Sequence, residues 1–142
     1  MIPGVNVYHN EENDEMLFML DRTERVAQLN YTIGDLDRIL DEYEESVEDF
    51  DPDSFLRMVR SEPIANIEYF YIEKPFRGQH LSKELFRKGL DELKRKFDVQ
   101  SFVLRAYPDN GTDIEKLISI YEDCGFVQVQ ETEADGIIMV KS

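Results

Sequence analysis

The 142-residue sequence predicts a single mixed α/β domain, with helices packed on one sheet. Three observations carry this. From residue 64 onward the apolar patterning alternates between strand and helix periods, in the order strand, helix, strand, helix, strand, strand. The length suits one domain large enough to bury a core. Hydrophobic residues make up 42% of the chain, with seven Tyr and nine Phe supplying large apolar area, so the composition is not that of a disordered chain.

Each element has its own signal. Residues 5–8 suit a short strand. Residues 15–21 and 25–33 form a hairpin, the second run alternating Val26, Gln28 and Asn30 with Ala27, Leu29 and Tyr31. After Gly34 the period changes. Leu36, Ile39, Leu40, Tyr43 and Val47 recur at helical spacing with acids between them. Asp51 and Pro52 open a second helix, with Phe55, Leu56 and Val59 as its apolar stripe, and Pro63 ends the pair. Residues 64–73 are apolar and aromatic on both faces, as in a central strand, and Pro75 stops it. Leu81, Leu85, Phe86, Leu90, Leu93 and Phe97 define the longest helix, over 79–97. A strand over 99–107 ends at the Pro108-Asp109-Asn110-Gly111 loop. A helix over 113–123 carries Ile114, Leu117, Ile118 and Tyr121, with Gly125 placed as its left-handed terminator. Residues 126–131 and 136–141 form a last hairpin across Ala134-Asp135-Gly136.

The formal charge is −15 and is unevenly placed. Residues 1–62 hold 17 acidic and five basic side chains, whereas residues 74–96 hold eight of the 16 basic ones. A polyanionic body repels nucleic acid and anionic membrane and attracts a cationic partner, either a small amine or a basic protein. The acids of 41–53 read as solvated helix faces. Cys124 is the one cysteine, so no disulfide forms within the chain, and it reads as a packed apolar residue. No Cys/His cluster points to zinc and no run is long enough for a membrane span, so the expectation is a soluble, cytoplasmic protein without a metal. His9 reads as a surface residue. Nothing decides between monomer and homodimer.

Residues 67–90, IEYFYIEKPFRGQHLSKELFRKGL, concentrate the chemistry. A buried strand ends, a short turn with Gly78 follows, and a long helix begins among Lys74, Arg77 and Lys83. Unpaired N–H groups and the dipole at a helix start bind phosphate. An incidental loop charge is the competing reading of these residues.

This segment resembles the acetyl-CoA signature of the GNAT superfamily of N-acetyltransferases, Arg/Gln-x-x-Gly-x-Gly/Ala. The six positions here are Arg77, Gly78, Gln79, His80, Leu81 and Ser82. Arg77 and Gly78 match its Arg-Gly opening, while His80 replaces the first signature Gly and Ser82 the Gly/Ala. Residues 104–126 resemble the family's later motif, a strand leading through an Asn-containing loop to a helix ending Tyr-x-x-x-Gly-Phe, matched by Tyr121, Gly125 and Phe126. Tyr121 lies 43 residues after Gly78, a family-like spacing. The turn at Ala106-Tyr107-Pro108 and the short C-terminal hairpin are similar to small phage-type members. The resemblance covers residues 64–142.

It implies a GNAT-like domain with a central mixed, mostly antiparallel sheet and about four helices. Residues 64–142 would be the cofactor-binding half and 1–62 an acidic, acceptor-side half. The two acidic helices after a strand hairpin depart from the family's usual order, in which two helices follow the first strand. The implied cofactor is acetyl-CoA. Its pantetheine arm would run beside Tyr71, Ile72 and Glu73, its diphosphate would sit on the N–H groups of Arg77 through Ser82 with Lys83 nearby, and Asn110 would hold the arm. Tyr121 would serve the leaving thiolate. Glu68 is the candidate base: it shares strand parity with Phe70 and Ile72, and an acid in an apolar strand is costly unless it is used or paired. Glu73 is a weaker candidate. Two other readings stand beside the enzyme: a catalytically weak binding module that grips a basic protein, and an acidic mimic of DNA.

Overall fold

The computed structural model describes residues 4–77, 81–107 and 113–142. Seven strands form one sheet in the order β1-β2-β3-β4-β5-β7-β6. They are β1 (Val5–Asn10), β2 (Glu15–Leu20), β3 (Glu24–Gly34), β4 (Ile64–Ile72), β5 (Ser101–Ala106), β6 (Val127–Glu131) and β7 (Ile137–Lys141). All neighbours pair antiparallel except β4 and β5, which run parallel. The sheet is therefore mixed and mostly antiparallel, as expected.

Helices α1 (Leu36–Ser46) and α2 (Pro52–Met58) lie on one face of this sheet, and α3 (Ser82–Phe97) and α4 (Ile114–Asp123) on the other. The larger core joins α3 to the sheet through Leu85, Phe86, Leu90 and Leu93, packed with Phe18, Leu29 and Phe102. The smaller one packs Ile39, Tyr43 and Phe55 against Ile64, Val103 and Val140. The connection from β3 through α1 and α2 into β4 keeps the unusual order read from the sequence.

Helix starts follow local chemistry. The Asp35 side chain accepts from Arg38 N at 2.9 Å, Asp51 accepts from the N–H groups of Asp53 and Ser54, and Asp113 accepts from Glu115 N. The end of α4 is set by Gly125, whose φ of 99° is open to glycine at little cost. Gly125 N donates to Glu122 O and Phe126 N to Tyr121 O, each at 3.0 Å, the paired bonds of a Schellman terminus.

His9 departs from its expected surface position. Its side chain is 11% exposed, its Nε2 lies 3.2 Å from Glu92 Oε2, and its ring meets Phe97 edge-on. The cause is pairing: β1 adds to β2 across the full Val5–Asn10 run, which turns His9 toward α3.

Candidate functional site

The strand ladder between β4 and β5 stops at the pair Ile67↔Leu104, yet β4 remains paired with β3 as far as Ile72. Beyond Ile67 the two central strands part. The bond from Glu73 N to Val26 O, 2.8 Å, fixes which way the backbone alternates. It directs the Glu73 N–H and the N–H and C=O groups of Tyr71 toward β3 and those of Phe70 and Ile72 toward the gap, while the Glu73 carbonyl accepts from Phe76 N in the following turn. Of the three residues expected to offer a backbone edge, Ile72 does so; Tyr71 and Glu73 are engaged by β3, and Phe70 takes the alternate place.

The gap opens into a cavity of about 360 Å³ on the α3–α4 side. Phe76, Arg77, Leu81, Ser82, Leu117 and Tyr121 line it along with β4. Arg77 donates from Nε to Ile72 O at 2.9 Å, and its guanidinium lies 4.7 Å from the centre of the Tyr71 ring. It thereby ties the turn after β4 to the strand end. Ser82 is the first residue of α3, and Leu81 before it supplies no side-chain cap. Lys83 does not line the cavity: its Nζ is 2.5 Å from Asp123 Oδ2, which holds the Asp123 carboxyl below its ordinary range. Gly78, Gln79, His80 and Asn110 lie outside the described residues.

Tyr121 stands at the inner wall. Its ring packs on Phe86 and Phe126, with centroids 5.1 and 6.1 Å away. Its hydroxyl bonds to none of the described residues. Burial pushes its pKa up to about 12, so the phenol keeps its proton throughout the physiological range. Three residues on, burial pushes the Cys124 thiol up as well, in keeping with a packed rather than reactive cysteine.

Glu68 is placed differently from the strand-parity reading. Asn30 pairs with Tyr69 and Tyr31 with Ile67, so Glu68 is the extra residue of a β-bulge. The bulge breaks the alternation. Phe70 packs on Phe86 toward α3, while Glu68 joins the α1 side with Asn66 and is exposed rather than enclosed in apolar surroundings. There its Oε1 accepts from the Thr32 hydroxyl. Glu73 is ion-paired, with Arg25 Nε at 2.8 Å from Oε1.

On that α1 side lies a second cavity of about 490 Å³, lined by Glu42, Tyr43, Glu45, Asn66, Glu68 and Arg105, among others. The Tyr43 hydroxyl donates to Asn66 Oδ1 at 2.8 Å. Ile67, Glu68, Arg105 and Tyr107 border both cavities, so the two meet where β4 and β5 separate. Thr32, Arg105 and Tyr107 were not singled out for a role from the sequence. The signal available for Arg105 was a lone cation inside the apolar run FVLRAY.

Among the described residues, no group of three His, Cys, Asp or Glu side chains is placed to hold a metal ion, and no helix is long and apolar enough to cross a membrane.

This architecture is the GNAT acetyltransferase fold. The chain is similar to SpeG spermidine N-acetyltransferase from Vibrio cholerae, in an F149G form (TM-score 0.57, 14% identity, covering 91% of this chain and 64% of that one). It is similar to the PaiA N-acetyltransferase of Thermoplasma acidophilum, solved with coenzyme A (0.55, 13%, 90% and 59%). An uncharacterized protein from Bacillus halodurans matches over 99% of this chain and 60% of its own, with a TM-score of 0.61 and 16% identity. The chain thus spans about three fifths of the length of these neighbours. No family model and no curated protein sequence matches.

Proposed function

We propose that the protein is an acyl-CoA-dependent N-acyltransferase that moves an acetyl group from acetyl-CoA to a primary amine. One observation carries this: β4 loses its parallel neighbour after Ile67 while keeping β3, which leaves a strand edge facing a cavity that holds Tyr121 and the start of α3.

These residues fit the group. The unpaired N–H and C=O of Phe70 and the N–H of Ile72 suit an amide-bearing arm added as a short strand. The uncapped first turn of α3 suits a diphosphate, with the Arg77 cation beside it. When bound, acetyl-CoA supplies an activated acyl carbon. Glu68, oriented by Thr32, takes the proton the amine gives up as the nitrogen–carbonyl bond forms. Tyr121, in the cavity wall, would face the sulfur of the thioester as that bond is broken. A phenol pushed up to about 12 is a weaker acid than a thiol of about 8.5, so Tyr121 stabilises the thiolate by hydrogen-bond donation, and solvent supplies its final proton.

The acceptor reaches the nitrogen-attack position through the α1-side cavity, whose Glu42, Glu45 and Glu68 favour a cation. SpeG, a spermidine acetyltransferase of the same fold, gives an example of amine chemistry on this scaffold.

Thermal unfolding with and without acetyl-CoA tests the reading. A ligand at 100 times its dissociation constant stabilises by about 2.7 kcal/mol. A rise in Tm with release of free thiol on adding an amine mixture supports it; no shift at millimolar acetyl-CoA ends it.

A further inference from the structure

We infer that the acceptor is an amino acid with a basic side chain, whose carboxylate is held by Arg105. This rests on the acyl-transfer reading above and goes further by naming the acceptor.

Arg105 stands on β5 one residue past the last β4–β5 pair, and it borders both cavities. Its guanidinium lies 5.8 Å from the Tyr43 ring centre and 5.6 Å from that of Tyr107, within cation–π range of both. Its nearest carboxylate is Asp135, at 3.8 Å, beyond hydrogen-bond length, and Asp135 Oδ2 already accepts from Glu48 N. None of its five N–H groups is hydrogen-bonded to a described residue. A side chain that is 29% exposed, flanked by two aromatic rings and only loosely ion-paired with Asp135, thus keeps its N–H donors free of hydrogen bonds to the described residues, at the mouth between the two chambers.

A pocket built for a purely cationic amine gains nothing from such a group, because a guanidinium repels an ammonium and weakens the pull of Glu42, Glu45 and Glu68. The arrangement makes sense when the ligand carries both signs. A guanidinium fork matches a carboxylate in two parallel N–H···O bonds. The surrounding glutamates match one or two ammonium groups. Glu68 sits on the same shared wall as Arg105, so the amine and the carboxylate of one small molecule can be read together. Three acids against one base leave the lining negative, which selects a basic amino acid over a neutral one.

The test compares lysine with cadaverine, its decarboxylated twin, and with lysine methyl ester, whose carboxylate is masked, all with acetyl-CoA. Lysine is expected to exceed both others in kcat/KM by about tenfold or more, the worth of one charge-assisted pair. Arg105→Met brings the lysine-to-cadaverine ratio near one, and Arg105→Lys restores part of it. Equal or better use of cadaverine by the wild-type protein overturns the assignment, as does an unchanged ratio in a folded Arg105→Met variant. The wild-type comparison stands even where the variants fail to fold. Turnover of cadaverine alone rejects the carboxylate and keeps the acyl-transfer reading; absence of turnover with every amine together with absence of acetyl-CoA binding rejects both.

Discussion

Phe126 donates its backbone N–H to the carbonyl of Tyr121 at 3.0 Å, and the two rings pack 6.1 Å apart. One glycine in a left-handed turn brings them together. The hydroxyl expected to meet the departing sulfur is thus positioned by the way its own helix ends.

Gly125→Ala forces a Cβ onto a backbone with φ of 99° and into contact with the Lys141 side chain at 3.2 Å. Chemical denaturation should show a loss of about 1–2 kcal/mol. The near-ultraviolet signal of the Tyr121–Phe126 pair should change with it.

Tyr121→Phe keeps the ring packing and removes only the hydroxyl. Acetyl-CoA affinity should stay within about twofold, while kcat falls by roughly 10²-fold, the lower end for losing one hydrogen-bond donor to developing negative charge. Equal loss in affinity and rate would assign Tyr121 to packing. Because its pKa is pushed up to about 12, the wild-type rate should show no alkaline fall from Tyr121 below about pH 10.

Tyr31 supplies a stability prediction of the same kind. It is 1% exposed, its hydroxyl has no partner among the described residues, and burial pushes its pKa up to about 12. Tyr31→Phe should raise stability by about 1 kcal/mol by removing an unsatisfied buried hydroxyl. In the wild-type protein the folded state holds the Tyr31 and Tyr121 protons more tightly than the unfolded state. Their contribution is complete below about pH 10 and is lost as pH rises toward 12, so stability should decline across that window and decline less in Tyr31→Phe.

Much of the scaffold was legible because it depends on local rules. The stripe Leu85, Phe86, Leu90, Leu93 has helical spacing wherever it is placed, and Gly125 ends α4 through its own backbone freedom. Features that a distant element decides are not written in the local sequence. The bulge at Glu68 exists because β3 pairs with β4 out of step between Asn30 and Tyr31, and a period-2 count along β4 alone cannot register that. The ion pair of Lys83 with Asp123 likewise depends on where the end of α4 packs, which the sequence around Lys83 does not register. The surroundings of Arg105 depend on Tyr43 and Asp135, which two distant segments bring beside it and its neighbour Tyr107, so the run FVLRAY alone does not reveal them.

Glu68→Gln preserves shape and removes the proton acceptor. At neutral pH kcat should fall by about 10²-fold with acetyl-CoA affinity unchanged. Thr32→Val, which deletes the hydroxyl donated to Glu68, should lower kcat less. A full-rate Glu68→Gln enzyme would remove Glu68 from the chemistry.

Arg77→Ala removes both the bond to Ile72 O and the stack on Tyr71. Affinity for acetyl-CoA should drop about tenfold, a change of 1.4 kcal/mol. The drop should shrink as salt is raised, since part of it is the charge beside the diphosphate.

Amide hydrogen exchange across β4, with and without coenzyme A, addresses the strand edge directly. The account predicts slowed exchange at Phe70 and Ile72, whose N–H groups face the gap, with β1 unaffected. Coenzyme A that binds and leaves those two amides exchanging at their free rates would contradict it.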